Sequence, residues 1–590
     1  MDILAQALRR AVAGRKASGL EVEHERINQL DKWLPSKEEQ QLLADKWTEL
    51  LRRHKGAPPL RPVQGYILEA CHRAAQLDDP IGFLGNVGVG KGKTLAFLNM
   101  PRVFGAKNAV ILLPPEMRTQ YDLDYYERAK HYDIDGVTVG KYSQLSRPNG
   151  TDLLRRLAPD LILADECQAL RHASAARTKR FIRYMKENPN CRFAAMSGTL
   201  STNRLEDYSH LSEIALRQYS PLPLEENTLK QWSSVLSAEG EPDNAAWQAI
   251  SHVVRNNGSP RWTAPTIRDA GPRHRKEARE AFAYRFASAP GVVATVSSST
   301  DIPLRLTAVR PPLNDRCNKA LADLHAKYEL PDGSPVVDGL HFHRACAQLS
   351  LGFYYVWDWP GEPDYDWLDA RSDWHSAVRW YLKGYSREGV DSPFLVENHV
   401  RSCWSANKSV PERLDSGLRG WDVERHKDPP PVKAIWLDFN PVVWAVKWAK
   451  ERKRAFLWFQ SRAVGEALQD WGLPVFWEGT PDPKSTPVCG LSMAVYHKGR
   501  NFQAWNDQLI LEPTSNAAMW EQLLGRCHRA GQKQDHVNAE VYYHTWPLHL
   551  AMGRAFGRSK YIQQTSSQPQ KLLLADKRGF RTLLENPYGE

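Results

Sequence analysis

The stretch G-F-L-G-N-V-G-V-G-K-G-K-T-L-A-F-L, residues 82–98, changes character twice along its length. Its apolar start reads as a buried strand, its glycines as a turn and its apolar end as a helix. Such a strand–turn–helix lets backbone N–H groups close around phosphate, and the helix N-terminus adds a favourable dipole. Gly90 and Gly92 shape the turn, Lys93 is placed to reach the outer phosphates and Thr94 to hold Mg²⁺. Val87 stands where the full eight-residue pattern carries its first glycine, and Lys91 is an extra cation without an assigned role.

Three further stretches extend this reading. In L-I-L-A-D-E-C-Q-A-L (161–170) an apolar strand delivers Asp165 and Glu166 to its C-terminal end, where ligands bind in open α/β sheets. Asp165 suits Mg²⁺ coordination and Glu166 suits polarisation of an attacking water. Upstream, L-R-P-V-Q (60–64) offers Arg61 and Gln64 for an adenine edge, because an amide both donates and accepts. M-S-G-T-L (196–200) sets Ser197 and Thr199 at the end of another apolar run.

The surrounding pattern is α/β. I-G-F-L (81–84), A-V-I-L-L (109–113), V-T-V (137–139), L-I-L-A (161–164) and F-A-A-M (193–196) read as buried strands with helical stretches between several of them. A second series starts near 433 with A-I-W-L, A-F-L-W-F, L-P-V-F, M-A-V-Y, Q-L-I-L-E and A-E-V-Y-Y. The sequence divides into a helical N-terminal extension (1–57), a first lobe (58–310), a Trp-rich helical linking region (311–430) and a second lobe with a tail (431–590). The first lobe carries a helical, basic insertion at about 215–290. Within the linking region, 353–383 holds Trp357, Trp359, Trp367, Trp374 and Trp380, whose spacing favours packing over base stacking. The basic run 259–286 is a candidate duplex-facing surface. P-S-K-E-E (35–39) predicts a capping box between Ser36 and Glu39.

Eight cysteines without a C-x-x-C pair argue for a reducing compartment and against zinc. No apolar run approaches about 18 residues, so a soluble, cytoplasmic protein without a membrane partner is expected. The net charge of +10 tolerates a polyanion without requiring one.

Far downstream, Q-L-L-G-R-C-H-R-A-G-Q (522–532) concentrates cations around Arg526 and Arg529. Taken in order, L-R-P-V-Q, G-K-G-K-T, D-E-C-Q, S-G-T-L and this last stretch resemble the superfamily 2 helicases and translocases, most of all the Swi/Snf-like branch. The resemblance covers about 58–210 and 430–545, and the final stretch Y-I-Q-Q-T-S-S-Q-P-Q looks like bacteriophage or prophage members. Many relatives carry histidine where D-E-C-Q ends in glutamine.

The resemblance implies two RecA-like lobes, a P-loop NTPase fold with helical insertions, and ATP with Mg²⁺ between the lobes. Asp165 and Glu166 become hydrolytic, and Ser197 and Thr199 couple lobe closure to hydrolysis. L-W-F-Q-S-R-A-V-G-E-A-L (457–468) resembles the opening segment of the second lobe, and H-K-G-R-N-F (497–502) brings Gly499 near nucleotide and Asn501 near the track. Arg118, Thr119 and Ser143 match positions where relatives touch the strand.

An arginine from the second lobe suits a transferring phosphoryl group, because its planar fork pairs with phosphate oxygens and stays charged. Three apart, Arg526 and Arg529 are expected on one helix face, with Arg529 as the finger, Arg526 as a second γ-phosphate contact and Gln522 as a relay. The expected activity is an ATPase that translocates on or remodels double-stranded DNA. Alternatives are a strand-separating helicase on single-stranded DNA or RNA, and an ATP-gated switch or motor subunit serving a nuclease or a replication or recombination factor.

Overall fold

Apolar runs too short for a buried helix form the strands, and in the computed structural model they assemble into two large sheets. The structure describes residues 19–580 apart from 89–91, 135, 148–149, 202, 296–299, 335, 337–338, 385–389, 391–392, 481–482, 484–485 and 498–499. Gly90, Lys91 and Gly499 therefore lie outside the described residues.

The first sheet comprises β1 (Phe83–Asn86), β2 (Ala109–Leu113), β3 (Val137–Lys141), β4 (Leu161–Asp165), β5 (Arg192–Ser197) and β6 (Val292–Ala294). They run parallel in the order β3-β2-β4-β5-β1-β6. β2 and β4 are buried at every residue, as strands covered on both faces must be. The pairing sets Asn86 beside Ser197 and Asp165 beside Met196, so three motif-bearing strand ends lie next to each other.

Downstream come β7 (Leu304–Val309), the antiparallel pair β8 (Phe353–Trp357) and β9 (Val432–Trp436), and then β10 (Ala455–Phe459) and β11 (Val475–Phe476). β12 (Val488–Ser492), β13 (Asp507–Ile510), β14 (Val537–Tyr542) and β15 (Asp576–Arg578) complete the set. The second sheet is parallel in the order β11-β12-β10-β13-β14-β7-β15. The fold is thus α/β with two all-parallel sheets of six and seven strands, the arrangement expected of two RecA-like lobes with a helical N-terminal region.

Three expectations are corrected. β7 belongs to the second sheet, so that sheet begins a few residues before the division read at 311 and far upstream of the second-lobe start read at 431. Its alternation of buried Leu304, Leu306 and Ala308 with half-buried residues is a strand signal, but its partner β14 lies more than two hundred residues away. A-I-W-L forms most of β9, which pairs with β8 outside the second sheet. M-A-V-Y is the short helix Met493–Tyr496; the strand is the preceding V-C-G-L-S, and a short apolar run alone does not distinguish the two.

Between β8 and β9 stand the helices Tyr365–Gly384, Pro393–Ser405 and Glu412–Glu424, with a core of their own around Trp374, Tyr381, Val396, Val400, Leu414 and Leu418. Trp367 is buried in T-shaped contact with Trp357, Trp359 and Trp421, and Trp374 is buried too, so this part of the aromatic run packs, while Trp357 remains exposed. The basic run 259–286 turns much of its charge inward. Arg275 and Arg279 donate to the carbonyls of Leu236, Ser237 and Gly240, and Arg285 is fully buried.

At the N-terminal side, Ser36 Oγ accepts from Glu39 N at 3.2 Å and the Glu39 carboxylate accepts from Ser36 N at 2.6 Å, completing the capping box. The helix Lys37–Leu51 that it starts lies so close to the helix Pro62–Ala75 that a Cβ at Gly65 would meet Ala44 N at 2.3 Å. This contact braces the segment that leads to the glycine-rich turn.

The helix Trp546–Ser566 spans both lobes. Met552 and Ala555 pack in the second-lobe core, while Tyr561 and Ile562 enter the first-lobe core. Arg558 pairs with Glu239 at 2.9 Å and donates to Ser515 O at 3.2 Å, and the Tyr561 hydroxyl lies 3.2 Å from that of Ser201, just beyond the S-G-T-L stretch. Among the described residues no helix is long and apolar enough to cross a membrane.

Candidate active site

Gly92 caps the helix Lys93–Phe104 with a φ of 81°, a conformation in which a side chain is strained; a Cβ there would also meet Gln64 Nε2 at 2.4 Å. Gln64 is buried, donates from Nε2 to Gly92 O at 2.9 Å and accepts from Arg61 N at 2.8 Å. It therefore ties the start of one helix to the glycine-rich turn, leaving one N–H and one lone pair of its amide for a ligand. Arg61 is exposed at the same helix end.

Lys93 and Thr94 open the helix beyond that turn. Lys93 Nζ lies 3.2 Å from Glu166 Oε1. Burial works to lower the ammonium pKa, but the Glu166 and Asp165 carboxylates hold it above its usual value. Asp165 is almost fully buried, and burial pushes its carboxyl up to about 6 against the pull of Lys93. Its Oδ1 accepts from Glu166 N at 2.9 Å, which secures the left-handed backbone of Glu166 at φ 52°. Residues in that region collect at functional sites, where surrounding contacts must hold them.

A relay runs sideways from Glu166. Gln168 donates from Nε2 to Glu166 Oε2 at 2.6 Å, and its Oε1 accepts from Ser197 Oγ at 2.6 Å. Ser197 Oγ in turn accepts from Thr199 N at 2.9 Å. The Tyr142 hydroxyl donates to Asp165 O at 2.9 Å from beneath. Sequence reasoning singled out neither Gln168 nor Tyr142. The glutamine ending D-E-C-Q was a visible signal for the first; Tyr142 had none.

From the second lobe, Arg526 faces this cluster. The helix Ala517–Leu524 ends at Gly525, so Arg526 and Arg529 sit on successive turns beyond it and do not share a helix face, contrary to expectation. Gly525 starts the break, and Gln532 secures the turns beyond it by donating to Trp505 O at 2.9 Å and accepting from Lys533 N at 2.9 Å. Arg526 is only 5 % exposed. Its Nε donates to Gln522 O at 3.0 Å and its Nη1 to Arg500 O at 2.6 Å, while Nη2 has no hydrogen bond among the described residues. Burial and then Arg529 lower its guanidinium to about 10, and the Glu166 carboxylate across the cleft opposes them. Arg529 is half-buried, and burial lowers it. Of the two, Arg526 is the one that feels Glu166. Gln522 is buried one turn before Arg526 and holds it through its backbone carbonyl.

Asp165 Oδ2 and the Thr94 hydroxyl have no hydrogen-bond partner among the described residues. An open carboxylate oxygen and a hydroxyl suit Mg²⁺, which takes few protein oxygens and leaves the rest to water and phosphate. Lys93 and the open Nη2 of Arg526 suit the phosphates themselves. The residues present therefore fit ATP with Mg²⁺.

The other residues expected to touch a nucleic acid lie apart from this cluster. Arg118 and Thr119 begin the helix Arg118–Ala129 after β2, and Ser143 lies on the short helix Tyr142–Ser146 after β3, the neighbouring strand. Arg118 is already paired with Asp122 at 2.8 Å, whereas Thr119 is exposed. Asn501 is exposed on the second lobe and donates to Gln503 Oε1 at 2.8 Å. None of these four enters the Lys93–Glu166–Arg526 cluster. No protein-family model matches the chain, and no curated protein matches it.

Proposed function

We propose that this protein is an ATPase that translocates on double-stranded DNA, a superfamily 2 motor of the Swi/Snf-like type. The observation that carries the reading is the cluster of Lys93, Glu166 and Arg526, in which the arginine comes from the second lobe. ATP and Mg²⁺, when bound, supply the phosphoryl group and neutralise part of its charge.

Lys93 and the glycine-rich turn bind the phosphates, and Thr94 with Asp165 holds the metal. Glu166 orients the attacking water and takes its proton. Arg526, rather than Arg529 as expected from the sequence, stabilises negative charge from the opposite lobe, since it is the one on which the Glu166 carboxylate acts, so hydrolysis depends on closure of the cleft. Gln168 links Glu166 to Ser197, which passes the state of the site to the S-G-T-L stretch and onward to Ser201 and Tyr561.

The net charge of +10 and the exposed Thr119 and Asn501 support a nucleic-acid track gripped through its backbone. A third-strand displacement assay tests the reading. The chain is expected to strip a third-strand oligonucleotide from a duplex only with hydrolysable ATP, leaving forked duplexes paired. Separation of forks without third-strand release identifies a strand-separating helicase instead.

A further inference from the structure

Lys571 is a buried cation far from the phosphate site in sequence, at the start of the short helix Lys571–Leu574. Its surroundings are unusually specific. Its backbone N donates to Glu521 Oε2 at 2.8 Å, and its Nζ lies 3.7 Å from Glu521 Oε1. The same Nζ is 3.4 Å from His528 Nδ1. His528 Nε2 lies 2.6 Å from Ile302 O, an oxygen that can only accept. The ring proton therefore sits on Nε2, and Nδ1 accepts from the Lys571 ammonium. Burial, then Lys571, pushes His528 down to about 4, which keeps the ring neutral in this role.

These contacts bracket Arg526. Glu521 lies on the last turn of the helix before it, His528 lies two residues after it, and Gly525 packs against the Lys571 stem, where an added Cβ would come 3.4 Å from Lys571 Cε. One ammonium thus fixes both sides of the turn that carries the arginine. The turn is neither helix nor strand, so its position depends on side-chain contacts, those of Lys571 beside those of Gln532 and of Arg526 itself. Buried charges of this kind are costly unless paired, so the three groups hold one another in place.

We propose that Lys571 is a positioning residue for Arg526, acting through Glu521 and His528. The inference rests on the reading of Arg526 as part of an ATPase site. Lys571→Met removes the ammonium and keeps the stem; Lys571→Arg keeps the charge. Lys571→Met with Glu521→Gln removes both charges and serves if the single variant fails to fold.

Single-turnover ATP hydrolysis by the full chain on duplex DNA is the test. Lys571→Met, or its double variant, is expected to lower the rate about 10- to 100-fold with ATP affinity nearly unchanged, and Lys571→Arg to recover part of it. Added to Arg526→Ala, Lys571→Met should bring no further loss, because the lysine acts only through the arginine. An unchanged rate, or a loss that multiplies with that of Arg526→Ala, overturns the proposal. Absence of hydrolysis by the unaltered chain overturns the underlying ATPase reading instead.

Discussion

Arg526→Ala is expected to slow ATP hydrolysis by about 10³–10⁵-fold while ATP still binds. The size reflects what the guanidinium offers at a water-poor site: a fixed positive charge, already oriented by Gln522 O and Arg500 O, with one terminal nitrogen open. Binding survives because Lys93 and the glycine-rich turn belong to the other lobe. Arg526→Lys should fall between, since an ammonium keeps the charge but loses the fork. Arg529→Ala should cost less, because among the described residues the Glu166 carboxylate acts on Arg526 and not on Arg529. Rates by single turnover and affinities by nucleotide fluorescence separate these outcomes. If Arg529→Ala proves the slower variant, the arginine roles are reversed.

Glu166→Gln is expected to reduce turnover by about 10²–10⁴-fold, with the chain folded and ATP bound. The amide keeps the volume and can still meet Gln168, but it takes no proton from water. Lys93 keeps Asp165 as a neighbouring counter-charge, so the buried ammonium is not stranded. The variant should trap the ATP state and therefore hold duplex DNA at least as tightly as the unaltered chain. Undiminished hydrolysis, measured as phosphate release, removes Glu166 from the site.

Much of this site was legible because its chemistry is local. Gly92, Lys93 and Thr94 come after a strand and open a helix, and Asp165 ends a strand with Glu166 just beyond it, so a few neighbouring residues fix where each stands. The features that escaped the sequence depend on distant partners. β7 looks like a strand but gives no sign that it pairs with β14. Arg526 and Arg529 have helical spacing, yet Gly525 ends the helix and tertiary contacts of Gln532 shape the turns that carry both arginines. Likewise, the arginines of 259–286 read as a basic surface, while the carbonyls that bind Arg275 and Arg279 come from the end of another helix. The lysine at 571 carried no local signal at all, because Glu521 and His528 meet it only in the folded chain.

Steady-state ATP hydrolysis by the unaltered chain, compared without nucleic acid and with single-stranded DNA, duplex DNA or RNA, tests the central claim most directly. A site completed across two lobes predicts a low basal rate and a several-fold rise that is largest on duplex DNA. Equal rates under all four conditions would contradict it.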